Sequence, residues 1–257
     1  MSLNSNIEWT DATWNPVTGC TEVSPGCDNC YAKTFAERWR GIEGHHYEQG
    51  FDLRLWPSRL NYPLDWKKPR RIFVNSMSDL FHRDVPERFI LDVFRVMVQA
   101  KQHNFQVLTK RPNRLVHMIP RITAELEKHS ECVNPWPDHI WIGVSVETMQ
   151  YHWRVEKLRQ VPCAVRFVSA EPLLGSLADI DLSEIHWLIA GGESGHNHRP
   201  CKPEWVRELR NKCQDKDVAF FFKQWGGRTP KSGGRLLDKR TWDEYPDFSR
   251  EVEAIPC

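Results

Sequence analysis

Cys20, Cys27 and Cys30 stand within eleven residues, on the segment Gly19-Cys20-Thr-Glu-Val-Ser-Pro-Gly-Cys27-Asp-Asn-Cys30-Tyr31. The spacing is C-x6-C-x2-C. Three thiolates on one short, Gly- and Pro-bent loop can converge on a metal centre, and soft sulfur ligands select zinc, copper(I) or iron–sulfur clusters. They cannot complete a four-ligand cage. Either a fourth ligand comes from elsewhere, or one coordination position stays open, as it does in catalytic rather than structural sites. A structural zinc finger would show a second Cys or His pair at short spacing, and Cys27-x2-Cys30 has no such partner. A four-iron cluster held by three cysteines leaves one iron free for an outside ligand.

A second set of chemistry-bearing residues recurs just after short apolar runs. It comprises Asn75, Ser76, Ser78 and Asp79, then Thr109, Lys110 and Arg111, then Ser145 and Glu147. Further along come Ser169 and Glu171, then Gly191, Gly192, Glu193 and Ser194, and last Lys223 and Gln224. The runs lie at 72–74, 105–108, 140–144, 165–168, 187–190 and 218–222, and each reads as a strand. Amphipathic stretches at 86–102, 113–128, 149–160 and 203–214 read as helices between them. Strands alternating with helices imply parallel pairing through crossovers, and near-continuous apolar strands imply a sheet covered on both faces.

An earlier strand is expected at 13–17, directly before Cys20. Seven such units suit an α/β fold of the complete or partial (β/α) barrel type, with the three-Cys loop after the first strand. Residues 1–257 read as a single barrel-like domain. Residues 40–69 form an irregular insertion, and 228–257 a surface tail. In parallel α/β folds the ligand site lies at the carboxyl ends of the strands. Lys110, Glu147 and Glu171 are therefore the candidate catalytic contacts. Tyr31, Asn75, Ser76, Ser78, Ser145, Ser169, Gly191, Gly192 and Glu193 are the candidate cofactor-binding residues, and Cys20, Cys27 and Cys30 the candidate metal ligands.

Blander roles compete with these. A lone carboxylate such as Glu147 or Glu171 can cap a helix or pair with Lys110, and two glycines can simply turn the chain. His196, His198 and Cys201 read as a surface loop more readily than as a completed metal site, and His45-His46 is ambiguous. The 12 tryptophans follow no fixed period and read mainly as core and loop anchors.

The bulk numbers exclude several classes. At 257 residues and 40% hydrophobic the chain can build a sizeable core, and a net charge of +1 leaves no global field toward nucleic acid or membrane. No apolar run has the length of a membrane span, and the N-terminus lacks the basic and apolar parts of a signal peptide. Clustered cysteines in a long chain of this kind bind metal more readily than they form disulfides. A cytoplasmic location is expected.

The segments Ile7-Glu8-Trp9-Thr10-Asp11-Ala12-Thr13-Trp14-Asn15-Pro16 and Pro25-Gly26-Cys27-Asp28-Asn29-Cys30-Tyr31-Ala32 resemble a phage- and bacteria-encoded family known for its three-cysteine motif. The resemblance continues through Phe73 to Phe81, Leu108 to Pro112, Gly143 to Glu147, Ser169 to Leu173, Gly191 to Gly195 and Phe222 to Gly226. More remotely, the arrangement looks like the radical S-adenosylmethionine enzymes. Their barrel carries a [4Fe-4S] cluster on three cysteines after the first strand. That resemblance implies S-adenosylmethionine on the open iron and hydrogen abstraction by a 5′-deoxyadenosyl radical. The usual loop there is C-x3-C-x2-C with an aromatic before the last cysteine. Here the first gap is six, and Tyr31 follows Cys30. The usual Gly-Gly-Glu follows the second strand, whereas Gly191-Gly192-Glu193 follows a much later one.

Two functions follow. One is an iron–sulfur enzyme of this radical type, with DNA or RNA as the substrate that a phage setting suggests. The other is a nucleic-acid-binding or processing protein with a structural zinc or iron–sulfur site, gripping phosphates and bases through basic strand ends and aromatics. No protein partner is indicated.

Overall fold

The computed structural model describes residues 3–129 and 136–247. In chain order the elements are β1 (Ala12–Trp14), β2 (Val17–Thr18), α1 (Tyr31–Glu37), β3 (Arg54–Leu55) and α2 (Tyr62–Asp65). They continue with β4 (Arg71–Val74), α3 (Glu87–Gln99), β5 (Asn104–Thr109), α4 (Pro112–Glu127), β6 (Ile140–Ser145) and α5 (Trp153–Leu158). The remainder are β7 (Arg166–Ala170), β8 (Trp187–Gly191), α6 (Pro203–Asp215) and β9 (Ala219–Gln224). Cys132, Cys257 and the last part of the expected tail, 248–257, lie outside the described residues.

Seven strands form one sheet in the order β1-β4-β5-β6-β7-β8-β9, every neighbouring pair parallel. The order follows the sequence, so each crossover advances the sheet by one strand and the sheet curls. β1 and β9 do not pair with each other, and the fold is a partial rather than a closed (β/α) barrel.

The expected first strand is interrupted. β1 ends at Trp14, and Val17 and Thr18 pair antiparallel with Leu55 and Arg54 in a separate small sheet. Pro16 explains the break, because it has no N–H to give to a ladder. The three-cysteine segment thus follows β2, one short strand later than expected. The stretch expected as a helix at 149–160 also divides, into a 3-10 turn at Met149–Tyr151 and α5.

Period-two alternation within the strands separates two apolar layers. Ile72, Val74, Phe105, Val107, Ile142, Val144, Leu188 and Phe222 pack outward against Phe89, Val93 and Met97 of α3, Leu115 and Met118 of α4, and Val206 and Leu209 of α6. Each such side chain, fully buried, contributes about 1.5–3 kcal/mol. Phe73, Trp141, Phe167, Trp187, Ile189 and Phe221 point the other way, into the concave side, where Trp9 joins them. The β7–β8 connection has no helix. Leu173, Leu177, Ile180 and Leu182 bury themselves in its place.

Two segments cover what an incomplete barrel leaves open. Trp9 packs edge-on against Trp187 and tilted against Phe73, and its carbonyl accepts from Gln106 Nε2 at 3.2 Å. The chain beyond β9 returns along that strand's free edge. Phe222 N donates to Trp242 O at 2.9 Å, Glu244 N donates to Phe220 O at 3.2 Å, and Leu237 and Trp242 are buried. Tyr245 then packs on Trp187 and Phe221 and lies beneath the Arg71 guanidinium, tying the β9 side to β4.

Candidate active site

The inward ladder of the barrel grades from ring to charge. β5 presents Gln106, Leu108 and then Lys110, and β6 presents Trp141, Gly143 and Ser145. β7 presents Phe167, Ser169 and, just past its end, Glu171, while β9 presents Ala219, Phe221 and Lys223. Aromatics fill the base, hydroxyls stand above them, and charges ring the mouth. Gly143 makes room for this layering, since a Cβ there would lie 2.4 Å from the Phe167 ring. The ladder opens into a cavity of about 720 Å³ at the carboxyl ends of the strands, with Trp9, Phe73 and Leu108 in its wall.

All three thiols of the cysteine segment face this cavity, each half-buried and free of any disulfide. The segment is held at both ends and in the middle. Gly19 has φ +85°, and a Cβ on it would meet the Asp52 carbonyl oxygen at 2.2 Å, so the entry requires glycine. Cys20 N donates to Phe51 O at 3.2 Å, and Gly19 N to Met77 O at 3.0 Å. Arg111 donates from Nη1 to Cys20 Sγ at 3.3 Å and from Nη2 to Thr21 O at 2.8 Å. In the middle, Ser24 Oγ donates to Glu147 Oε1 at 2.7 Å, and Gly26 lies so close that a Cβ would be 2.5 Å from that carboxylate. Toward the end, Asn29 Nδ2 donates to Glu193 Oε2 at 2.9 Å, and Tyr31 donates its hydroxyl to the Ser76 carbonyl at 2.5 Å.

The expected residues divide by position. Tyr31, Ser76, Ser78, Lys110, Ser145, Ser169, Glu171, Gly192 and Glu193 line the cavity along with the three cysteines. Asn75, Glu147 and Gly191 do not. Asn75 takes a left-handed backbone, φ 62°, and its buried side-chain amide has no hydrogen-bond partner among the described residues. Glu147 is fully buried between Arg154 Nη1 at 3.0 Å, Lys110 Nζ at 3.5 Å and Ser24. Gly191 leaves space for Glu171, whose Oε1 would stand 2.9 Å from a Cβ.

Glu171 sits before a cis peptide bond to Pro172, accepting from Lys223 Nζ at 2.9 Å and from Trp9 Nε1 at 3.2 Å. Glu193 lines the cavity, but both its oxygens are engaged. Arg199 donates from Nη2 at 2.6 Å and from Nε at 3.0 Å. Burial alone would raise the Glu193 carboxyl, but the bonds from Arg199 and Asn29 outweigh it and hold the group below its ordinary value. Burial, with the Asp79 carboxylate second, pushes the Cys20 thiol up to about 11 against the pull of the Arg111 guanidinium.

Several members of the site lie outside the candidate catalytic and binding residues that the sequence singles out. Trp9 and Arg199 reach it from far along the chain, and Asp79 collects Thr109 Oγ1 at 2.8 Å, Lys110 N at 3.0 Å and Arg111 Nη1 at 3.2 Å. Asp79, Thr109 and Arg111 stand among the polar strand ends, yet nothing in the sequence singles them out from their neighbours.

Among the described residues no three His, Cys, Asp or Glu side chains stand close enough together to hold one metal ion between them. A single zinc, about 2.3 Å from each thiolate, needs sulfurs about 3.8 Å apart. Three free thiols lining one cavity are the donor type that a four-iron cluster takes, one thiolate to an iron. His196 and His198 do not complete a site. His198 Nδ1 lies 2.9 Å from the Gly195 carbonyl oxygen.

A family model described as "Protein of unknown function (DUF5131)" matches residues 4–246. No curated protein matches the chain. Similar solved structures are forms of spore photoproduct lyase. One mutant is 13% identical with a TM-score of 0.49, covering 82% of this chain and 63% of that one. Another, with bound AdoMet and dinucleoside spore photoproduct, is 14% identical with a TM-score of 0.45, covering 78% and 60%. The chain thus spans about 60% of the length of those proteins. Among the described residues no helix is long and apolar enough to cross a membrane.

Proposed function

Because the chain belongs to the DUF5131 family of proteins of unknown function, its chemistry has to be read from its own site, and we propose that it is an iron–sulfur enzyme of the radical S-adenosylmethionine type acting on DNA or RNA. The observation that carries this reading is the placement of three free thiols, on one tethered segment, around a cavity at the carboxyl ends of a partial parallel barrel. Cys20, Cys27 and Cys30 would hold a [4Fe-4S] cluster. With S-adenosylmethionine on its open iron, such a cluster supplies a one-electron route to hydrogen abstraction.

The chain's own residues do the rest. Trp9, Phe73 and Leu108 give the cavity an apolar wall that keeps water from the reacting atoms. Ser145, Ser169 and Gln224 supply neutral hydrogen-bonding groups within it. Lys110 and Lys223 stand at the mouth and suit an anionic ligand, a carboxylate or a phosphodiester. Glu171 holds Lys223 in place, and Glu147 positions the cysteine segment from beneath rather than touching a ligand. Aromatic rings beside cations are the usual elements of single-strand binding, which supports a nucleic-acid substrate.

Anaerobic purification with iron and sulfide analysis tests the centre, followed by S-adenosylmethionine and a strong reductant. Iron and sulfide near four each per chain, a brown chromophore and release of 5′-deoxyadenosine are expected. A colourless protein holding only zinc would overturn this reading in favour of a structural metal in a nucleic-acid-binding protein.

A further inference from the structure

Arg111 is the one guanidinium at the cavity that bonds to a thiol among the described residues, and four contacts fix it there. Nη1 donates to Cys20 Sγ at 3.3 Å and to Asp79 Oδ2 at 3.2 Å. Nη2 donates to the carbonyl of Thr21 at 2.8 Å and to its hydroxyl at 3.0 Å. The side chain is only 13% exposed. Asp79 is itself pinned by Phe81 N at 2.9 Å, Thr109 Oγ1 at 2.8 Å and Lys110 N at 3.0 Å. The fork therefore cannot swing away to solvent without breaking several bonds.

We propose that Arg111 is a positioning and redox-tuning residue, which holds Cys20 in place as a ligand and makes the centre easier to reduce. This rests on the cluster reading above. Two physical effects give the sign. A one-electron reduction adds negative charge to the centre and its thiolates, and a fixed cation beside a ligand sulfur favours the more negative state. An N–H···S bond withdraws density from the thiolate in the same direction, and hydrogen bonds to the sulfurs are an established control on cluster potential. Asp79 acts on the same sulfur in the opposite sense, and without the Arg111 guanidinium its carboxylate would stand unopposed, so the sign of the Arg111 contribution is unchanged. Arginine stays protonated throughout the working pH range, so the effect is constant with pH.

The test compares the reconstituted full chain with Arg111→Gln and Arg111→Lys by iron and sulfide analysis and by potentiometric titration followed by electron paramagnetic resonance. Arg111→Gln is expected to retain the cluster and give roughly a tenfold lower ratio of reduced to oxidised centre at a fixed potential, about 59 mV for a one-electron couple. Arg111→Lys keeps the charge without the fork and falls between the two. The wild-type-to-variant shift should be the same across neutral and mildly alkaline pH. A merely structural role would alter iron content or unfolding and leave the potential of the remaining clusters in place. An unmoved potential in Arg111→Gln, or in Arg111→Lys should the first variant fail to load, overturns the inference while the cluster reading stands. Wild-type protein that never loads iron and sulfide overturns both.

Discussion

The carboxylate of Glu147 is enclosed by protein and answers to Arg154, Lys110 and Ser24, with Gly26 against its Cγ. Truncating it leaves the Arg154 guanidinium buried without its partner, a loss of about 3–5 kcal/mol for Glu147→Ala, read from urea unfolding. Glu147→Gln keeps the shape and should lose less. In the sequence Ser145-x-Glu147 and Ser169-x-Glu171 look alike, two hydroxyl–carboxylate pairs after two strands. What separates them is an arginine one helix later, which no local pattern marks as buried. Glu193 gives a pH-dependent case. Its folded carboxyl lies below the ordinary 4.5, so the stability it adds is present above that value and is lost as pH falls through the folded one. The stability difference between wild type and Glu193→Gln, measured by denaturation at a series of pH values, should be steady near neutrality and shrink below about pH 4.5.

Among the elements, β6 and β7 are coupled by a glycine facing a ring. Gly143→Ala should cost about 1–3 kcal/mol by crowding Phe167, and Phe167→Leu in the same chain should recover part of it, giving a favourable coupling in a double-mutant cycle. Alternation made these strands readable. Phe167, Ser169 and Glu171 stand two apart, as do Gln106, Leu108 and Lys110, so the ladder from ring to charge can be traced in the sequence once a parallel sheet is inferred. The break between β1 and β2 was less legible, because Pro16 stops a ladder without saying where the chain turns next. Only the distant pairing with Leu55 and Arg54 decides that. The positions of Trp9 and Arg199 were illegible for a related reason. Trp9 meets Glu171 across more than a hundred residues, and Arg199, besides its local fork on Glu193, meets Asp28 and Pro25 across as great a separation.

Across the whole molecule, an open seven-stranded sheet depends on the segments that cover its margins. Ending the chain at Arg235 removes Leu237, Trp242 and Tyr245 and bares the edge of β9, a ready template for pairing with another chain. Light scattering should show association of the shortened protein at concentrations where the full chain stays dispersed. The cysteine segment is fastened differently from these margins. It reaches the exit of β4 through Tyr31, of β5 through Arg111, of β6 through Ser24 and of β8 through Asn29. Like a drawstring around the rim, it sets how far those four strand ends can part, and each knot is a hydrogen bond. The rim is thus held by polar bonds from one segment, while the floor below it is held by packed aromatic rings.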